Sequence, residues 1–402
     1  MNCLGIELGS TRIKAVVIDA NRNVIKSAAH SWESRLENGY WTYSLDDVWT
    51  GLRDVVSRLD GIQVDALGVS AMMHGYLVFD THGELLVPFR TWKNTNTTVA
   101  ASTLSGLFNF NIPERWSVAH LYQAILNGEE HVKNIAFITT LAGYVHWKLT
   151  GRKVLGIGDA SGMFPIENGG YNSEMVTKFK QLTGIDWSSI APQILKAGED
   201  AGMYKNIPLC PPEGDAGTGM VATSAIAPRT GNVSAGTSVF AMVVLERPLK
   251  SHYPGIDIVT TPWGLPVAMV HANECCSLID PWVRLFGAAA NLLGAEFETG
   301  ELFAKLYESA LDTNGEIGKF MREKLALAVS ELRNGMKILT EKEEVRLDYL
   351  AGHGGYFKSG KAGQAVMSEM LGIPVKLVEQ SAEGGAFGCA LLAAKIGGNH
   401  GA

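Results

Sequence analysis

Apolar and polar positions along the chain alternate between two periods. Ile6 to Leu8 and Ala15 to Ile18 are short apolar runs on either side of Gly9-Ser10-Thr11, a pattern that predicts strand, turn, strand. Ser44 reads as an N-cap followed by Asp46 and Asp47, and Val48, Leu52, Val55, Val56 and Leu59 then recur at helical spacing. Ala66-Leu67-Gly68-Val69-Ser70 has the composition of a buried strand, and further helix is predicted from about Val118 to Asn127 and around Leu141 to Leu149. Strand and helix in alternation predict an α/β domain.

The second half repeats the theme. Val233 to Ala235 and Phe240 to Leu245 flank Gly236-Thr237-Ser238, again strand, turn, strand. Leu325, Val329, Leu332, Met336 and Leu339 predict one helix, Leu347 to Ala351 a strand, Lys361 to Leu371 a helix, Val375 to Val378 a strand, and Gly384 to Lys395 a small-residue helix. Between the halves, a Pro-rich segment, Ile207 to Pro212, leads into Glu213-Gly214-Asp215-Ala216-Gly217-Thr218-Gly219, which is too rich in glycine for the middle of an element and is expected to be a site loop or hinge.

The two Gly-hydroxyl-hydroxyl turns lie too far apart for a solenoid, whose repeats span ~20 to 50 residues, and so point to two related domains. Facing each other, they would clamp a phosphate, because glycine admits close approach while amide N–H groups and hydroxyls supply donors. Singly, each is also readable as an ordinary hairpin turn. The boundary is placed near residue 227, giving domains 1–226 and 227–402.

At 402 residues and 46% hydrophobic, the chain has material for two or three domains. No apolar run reaches the ~20 residues of a membrane helix, and the start enters a strand without a signal-like segment, so a cytoplasmic protein with no membrane association is expected. The net charge of −7 comes without basic blocks, which argues against nucleic acid and leaves room for an anion held by local donors. The five cysteines form no C-x-x-C pair and read as reduced, packed thiols.

Gly5 to Lys14, Met73-His74-Gly75, Asp159-Ala160-Ser161-Gly162, Gly214-Asp215, Gly236-Thr237-Ser238 and Gly354-Gly355 through Ser359 occur in an order that resembles the FGGY carbohydrate kinases of the actin-like superfamily, in their xylulokinase-like branch. The resemblance covers nearly the whole chain. It implies an α/β fold of two duplicated actin-like (RNase H-like) domains, each on a five-stranded mixed sheet with flanking helices, with an active cleft between them. It also implies ATP and Mg²⁺ as cofactors and a small ketose as substrate, in a family whose members are often homodimers.

Asp215 matches the family's catalytic base, since phosphoryl transfer needs a carboxylate to take the proton of the attacking hydroxyl. Beside glycine it is equally readable as a turn residue. The resemblance puts Glu7, where relatives carry Asp, at the magnesium and phosphate end of ATP, acting through a metal-bound water. It puts Gly9, Ser10, Thr11 and Lys14 near the phosphates, with Lys14 toward the γ-phosphate or simply at the surface. Met73 and His74 then contact the sugar, His74 by a hydrogen bond and Met73 by packing on a carbon face. The resemblance assigns Trp92 to the sugar as well; followed by Lys93-Asn94, it stands where relatives have Trp-Asn-Asp or Trp-Gln-Asp. Gly236, Thr237 and Ser238 are assigned to phosphate, and Gly354, Gly355 and Ser359 to the adenosine side. Ala235 and Ala241 are expected at the places that correspond to Glu7 and Lys14, leaving the second turn without charge.

Gly355 to Ala362 nearly fits a P-loop, but Ala362 removes the magnesium-holding hydroxyl, so that reading is rejected. Two connections, 203–207 and 311–317, are short against the family pattern and read either as trimmed loops or as places where flexible segments of a longer polypeptide are omitted, the second reading being favoured. The reading that results is a kinase acting on a terminal hydroxyl of a small ketose, a pentulose such as xylulose. Its rivals are a non-kinase actin-like ATPase and a family member that binds sugar with low activity.

Overall fold

The computed structural model describes residues 1–358, 361–378 and 384–397. The first compact unit holds Met1–Ala222, Ile258–Leu265 and the C-terminal helix; the second holds Thr223–Asp257 and the chain from Pro266 up to the approach to that helix. A single cut near residue 227 therefore does not describe the packing. The small-residue helix, expected in the second domain, is built into the first unit.

The sheet of the first unit comprises β1 (Cys3–Leu8), β2 (Arg12–Ile18), β3 (Val24–Ser31), β4 (Ala66–Ala71) and β5 (Glu213–Gly214), in the order β5-β4-β1-β2-β3. β1 lies antiparallel to β2 and parallel to β4, and all six of its residues are buried. A central strand covered on both faces is apolar throughout, and β1 departs from this only at Glu7. Register places Glu7 opposite Lys14 on one side and Ser70 on the other. Helix α1 (Leu45–Ser57) begins as expected, with the Ser44 side chain accepting from the Asp46 N–H.

What holds the unit's interior together is the approach of α10 (Gly384–Gly397) to the sheet. A Cβ added to Gly5 on β1 would collide with the backbone of Ala386 and Ala390, one on Gly68 of β4 would lie 2.7 Å from Cys389 Sγ, and one on Gly388 would collide with the Thr218 carbonyl. Glycine normally weakens a strand, and here it is the condition for backbone-to-backbone contact. The same packing explains a departure from the sequence reading. Asp215-Ala216-Gly217-Thr218-Gly219 is no loop but the start of helix α5 (Asp215–Ala222), directly after β5. Each helical glycine costs about 1 kcal/mol, and the close fit of Gly388 against Thr218 overrides that preference.

The second unit repeats the plan. Its sheet comprises β6 (Thr230–Ala235), β7 (Val239–Val244), β8 (Ile256–Thr260, only the first two residues of which count to the unit), β9 (Pro266–Ala272), β10 (Tyr349–His353) and β11 (Val375–Leu377), in the order β8-β9-β7-β6-β10-β11. Strands β9-β7-β6-β10-β11 match β3-β2-β1-β4-β5 in order and sense, two antiparallel pairings followed by two parallel ones. The expected five strands become six because the chain doubles back and adds β8 at the edge. The predicted helix from Leu325 to Leu339 is broken at Val329 into α7 (Glu316–Ala328) and α8 (Ser330–Lys337), and ends in a wide turn at Ile338–Lys342.

The short 203–207 connection closes as a tight hairpin between Met203–Tyr204 and Ile207–Pro208, with Lys205 and Asn206 at φ of 50° and 68°. Such a pair suits a two-residue hairpin turn. All five cysteines are buried and unpaired. Among the described residues, no helix is long and apolar enough to cross a membrane.

Gly388→Val tests the packing. Overfilling a backbone contact is expected to lower stability by about 3 kcal/mol or more, read as a drop in the urea midpoint. An unchanged midpoint would show that α10 does not seat as described.

Candidate active site

Each glycine turn is tied down by its carbonyl oxygens. In the first, Trp32 donates its indole N–H to the Gly9 carbonyl (2.7 Å) and its backbone N–H to Thr11 (3.2 Å), and the Tyr43 hydroxyl donates to Ser10 (2.6 Å). In the second, the N–H groups of Cys275 and Cys276 donate to the carbonyls of Thr237 (2.8 Å) and Gly236 (2.9 Å) at the start of helix α6 (Cys276–Leu292). Carbonyl oxygens repel an anion, so holding them inward suits each turn to present amides and hydroxyls to one. Thr11, Thr237 and Ser238 are exposed.

Glu7 is buried, and its Oε2 accepts from Lys14 Nζ at 3.2 Å, a cross-strand ion pair set by the β1–β2 register. The two turns differ by one residue: Leu8 pairs with Ile13, whereas Ala235 pairs with Val239. The place of Glu7 in the second copy is therefore taken by Ser234, opposite Phe240, and not by Ala235 and Ala241. The expectation of an uncharged second turn survives this correction.

Asp215 is the first residue of α5, and its Oδ1 accepts the Met73 N–H at 3.0 Å. Burial and the neighbouring charge of Glu7 push its pKa up to about 6, against the pull of the Met73 and Ala216 amides. Behind it, Thr218 Oγ1 meets Ser70 Oγ at 3.0 Å and joins α5 to β4. A Cβ on Gly385 of α10 would lie 2.6 Å from Glu7 Oε1 and 3.2 Å from Thr218 Oγ1. One small-residue helix thus backs both acids.

Met73-His74-Gly75 is a tight turn at the end of β4, with φ of 72° at His74 and 103° at Gly75. A non-glycine residue there is strained, and the surroundings must hold it. They do so through both ring nitrogens of His74. Arg115 Nε–H can only donate, so it fixes His74 Nε2 as the acceptor (3.1 Å) and leaves Nδ1–H to donate to the Gly162 carbonyl (3.1 Å). Burial and the Arg115 charge hold His74 well below the usual histidine pKa, so the ring is neutral. Its hydrogen-bonding capacity is spent on protein partners.

Trp92 is 39% exposed on a loop anchored by Asn94, whose side chain bonds the Trp41 and Thr91 backbone. Asn94, at the position where the resemblance leads one to expect an acid, is a loop anchor. In the second unit Gly354, at φ 107°, lies against Ala235: a Cβ there would collide with the Ala235 carbonyl. Gly354 and Gly355 are thus brought to the second turn, while Ser359 lies outside the described residues.

Sequence reasoning missed Arg115, Ser70 and Thr140 as parts of this region; it placed Glu213 and Thr218 in an expected site loop and Asp159 in a motif, without giving any of the three a role. Glu213 is buried beside Gly214 and accepts the N–H groups of Gly158 (3.3 Å) and Asp159 (2.9 Å). Its signal was available: an acid within an apolar stretch, immediately before Gly-Asp.

Two units with the same strand order and matching glycine turns define an α/β protein of the two-domain, actin-like class. The N-terminal domain profile of the FGGY family of carbohydrate kinases matches residues 2–223, and the C-terminal domain profile matches 312–396. The chain belongs to that family. A xylulose kinase of Staphylococcus xylosus is 21% identical over 215 residues, which is 50% of this chain and 44% of that protein, so the match spans less than half of the relative's length. A ligand-bound xylulose kinase from Lactobacillus acidophilus has the same fold, with a TM-score of 0.82 and 13% identity over 100% of this chain and 90% of that one. So does a glycerol kinase from Plasmodium falciparum with ADP, with a TM-score of 0.80 and 14% identity over 98% of this chain and 89% of the other.

His74→Ala leaves the Gly162 carbonyl and Arg115 Nε without their partner and opens a cavity. A loss of about 2 to 4 kcal/mol in urea unfolding is expected. A loss below about 0.5 kcal/mol, the range of ordinary surface substitutions, would contradict the pairing described.

Proposed function

We propose that the protein is an ATP-dependent kinase that phosphorylates the terminal hydroxyl of a small ketose, a pentulose such as xylulose. The observation that carries the reading is Asp215: a carboxylate at the start of a helix, oriented by the Met73 N–H and poised near pH 6 by Glu7 and by burial. A general base is most useful when its pKa lies near the working pH. Asp215 takes the proton of the sugar hydroxyl as that oxygen attacks the γ-phosphorus in line, and ADP departs.

Each turn presents amides and hydroxyls to phosphate oxygens, and Gly354 and Gly355 leave room for the adenosine side. Glu7 is a hard oxygen donor beside a second acid, which fits a magnesium ion held through water, and the ion would supply charge neutralisation at the phosphates. Lys14, held by Glu7, contributes its charge at the same end. Met73 packs on the carbon face of the sugar. His74 acts on the sugar side through Arg115, whose guanidinium it orients. The pentulose assignment draws on the xylulose kinases among the family relatives.

Asp215→Asn keeps size and cannot accept the proton, so kcat should fall ~10²-fold or more while ATP affinity is kept. In the wild type, kcat/KM should decline as the pH drops through about 6, because the base must be ionised to act. Near-normal turnover by the variant would remove Asp215 from the mechanism.

A further inference from the structure

Behind Asp215 lies a second acid that the mechanism does not use. Asp159, on the short helix α4 (Ile157–Ala160), is completely buried. Its Oδ2 accepts from Thr140 Oγ1 at 2.6 Å, while Oδ1, also buried, has no hydrogen-bond partner among the described residues. That oxygen lies close to the residue preceding Asp215: a Cβ added to Gly214 would be 3.1 Å from it. In return, Glu213 receives the backbone N–H groups of Gly158 and Asp159. The segments 158–159 and 213–214 are therefore tied together by Glu213, with the Asp159 side chain packed close to Gly214, and Asp215 is the next residue out.

Two acids in one dry space do not both keep a charge, because an unpaired buried carboxylate is far costlier than a neutral one. Burial and then the neighbouring Asp159 push the Glu213 pKa well above the usual carboxylate range too, against the pull of backbone amides; with the Gly158 and Asp159 amides facing it, Glu213 is still the better placed of the two to bear a charge, whereas Asp159 has one hydroxyl donor. We propose that Asp159 is a positioning residue which holds a proton: as a neutral carboxylic acid it packs against the Gly214–Asp215 junction without adding a further charge beside Glu7, Glu213 and Asp215. Burial, reinforced by Asp215, pushes its pKa up to about 8. The titratable groups that face it are Glu213, Asp215 and the Tyr171 phenol.

The inference rests on the kinase reading for its effect on turnover, but the proton on Asp159 can be tested apart from it. A carboxyl that ionises at about 3.9 in the unfolded chain and at about 8 in the folded one adds stability at low pH, and loses it as the pH climbs between those values. Asp159→Asn, a permanent mimic of the protonated form, should therefore melt above wild type at pH 8, with the gap closing toward pH 4. Infrared difference spectra at pH 6 should show a carboxylic-acid carbonyl band in wild type that the variant lacks.

In ADP-release assays Asp159→Asn should keep kcat within about threefold at pH 7 and lose the alkaline decline near pH 8, whereas Asp159→Ala should lose about 10- to 100-fold through a displaced base. A wild-type spectrum without that band would overturn the proposal. So would an Asn variant as inactive as the Ala variant while folded and binding ATP. If wild type turns over no sugar at all, the kinase reading fails alone, and the melting and infrared results still decide the state of Asp159.

Discussion

The structure depends on the contact between the C-terminal helix and the backbone of the first sheet. Gly5 and Gly68 have no side chain where one would strike α10, and Gly388 has none where one would strike α5, so the sheet and the two helices meet at backbone distance. Any methyl group there would push the helix outward. The consequence reaches the chemistry directly, because Glu7 stands on β1 two residues after Gly5, and Asp215 begins the helix on which Gly388 rests. Packing density fixes their separation as it fixes the core, since a tightly filled interior transmits small displacements.

That closeness creates an electrostatic problem. Glu7, Asp215, Glu213 and Asp159 occupy one region, and their negative charges oppose one another. The molecule resolves it in four ways: Glu7 pairs with Lys14, Asp215 takes a backbone amide, Glu213 takes two, and Asp159 is left with a hydroxyl and a raised pKa. Burial raises the pKa of Asp215, Glu213 and Asp159 alike, and it is the different donors around each that separate the proposed base from the acids beside it.

The turns, the strands beside them and helix α1 were legible in the sequence because each obeys a local rule: period, cap or turn residue. Asp215 was singled out by the motif around it, and it stands at the start of α5 with its side chain on the Met73 N–H. The helical state of Gly217 and Gly219 was not, since their propensity points the other way and only the packing of Gly388 reverses it. Likewise, the partners of His74 come from Arg115 and Gly162, distant in sequence, and no spacing announces them. The one-residue difference between the two turns, which replaces Ala235 by Ser234 as the counterpart of Glu7, emerges only from strand register. Local chemistry was readable; what a side chain does with its second hydrogen bond was not.

The central claim is that the acid site serves transfer to a sugar. Its most direct test is ADP release by the full chain with Mg²⁺ and ATP across a panel of ketoses and polyols. The account predicts saturable release that a ketopentose stimulates well above the sugar-free rate. Release at the same rate with and without every sugar would contradict it.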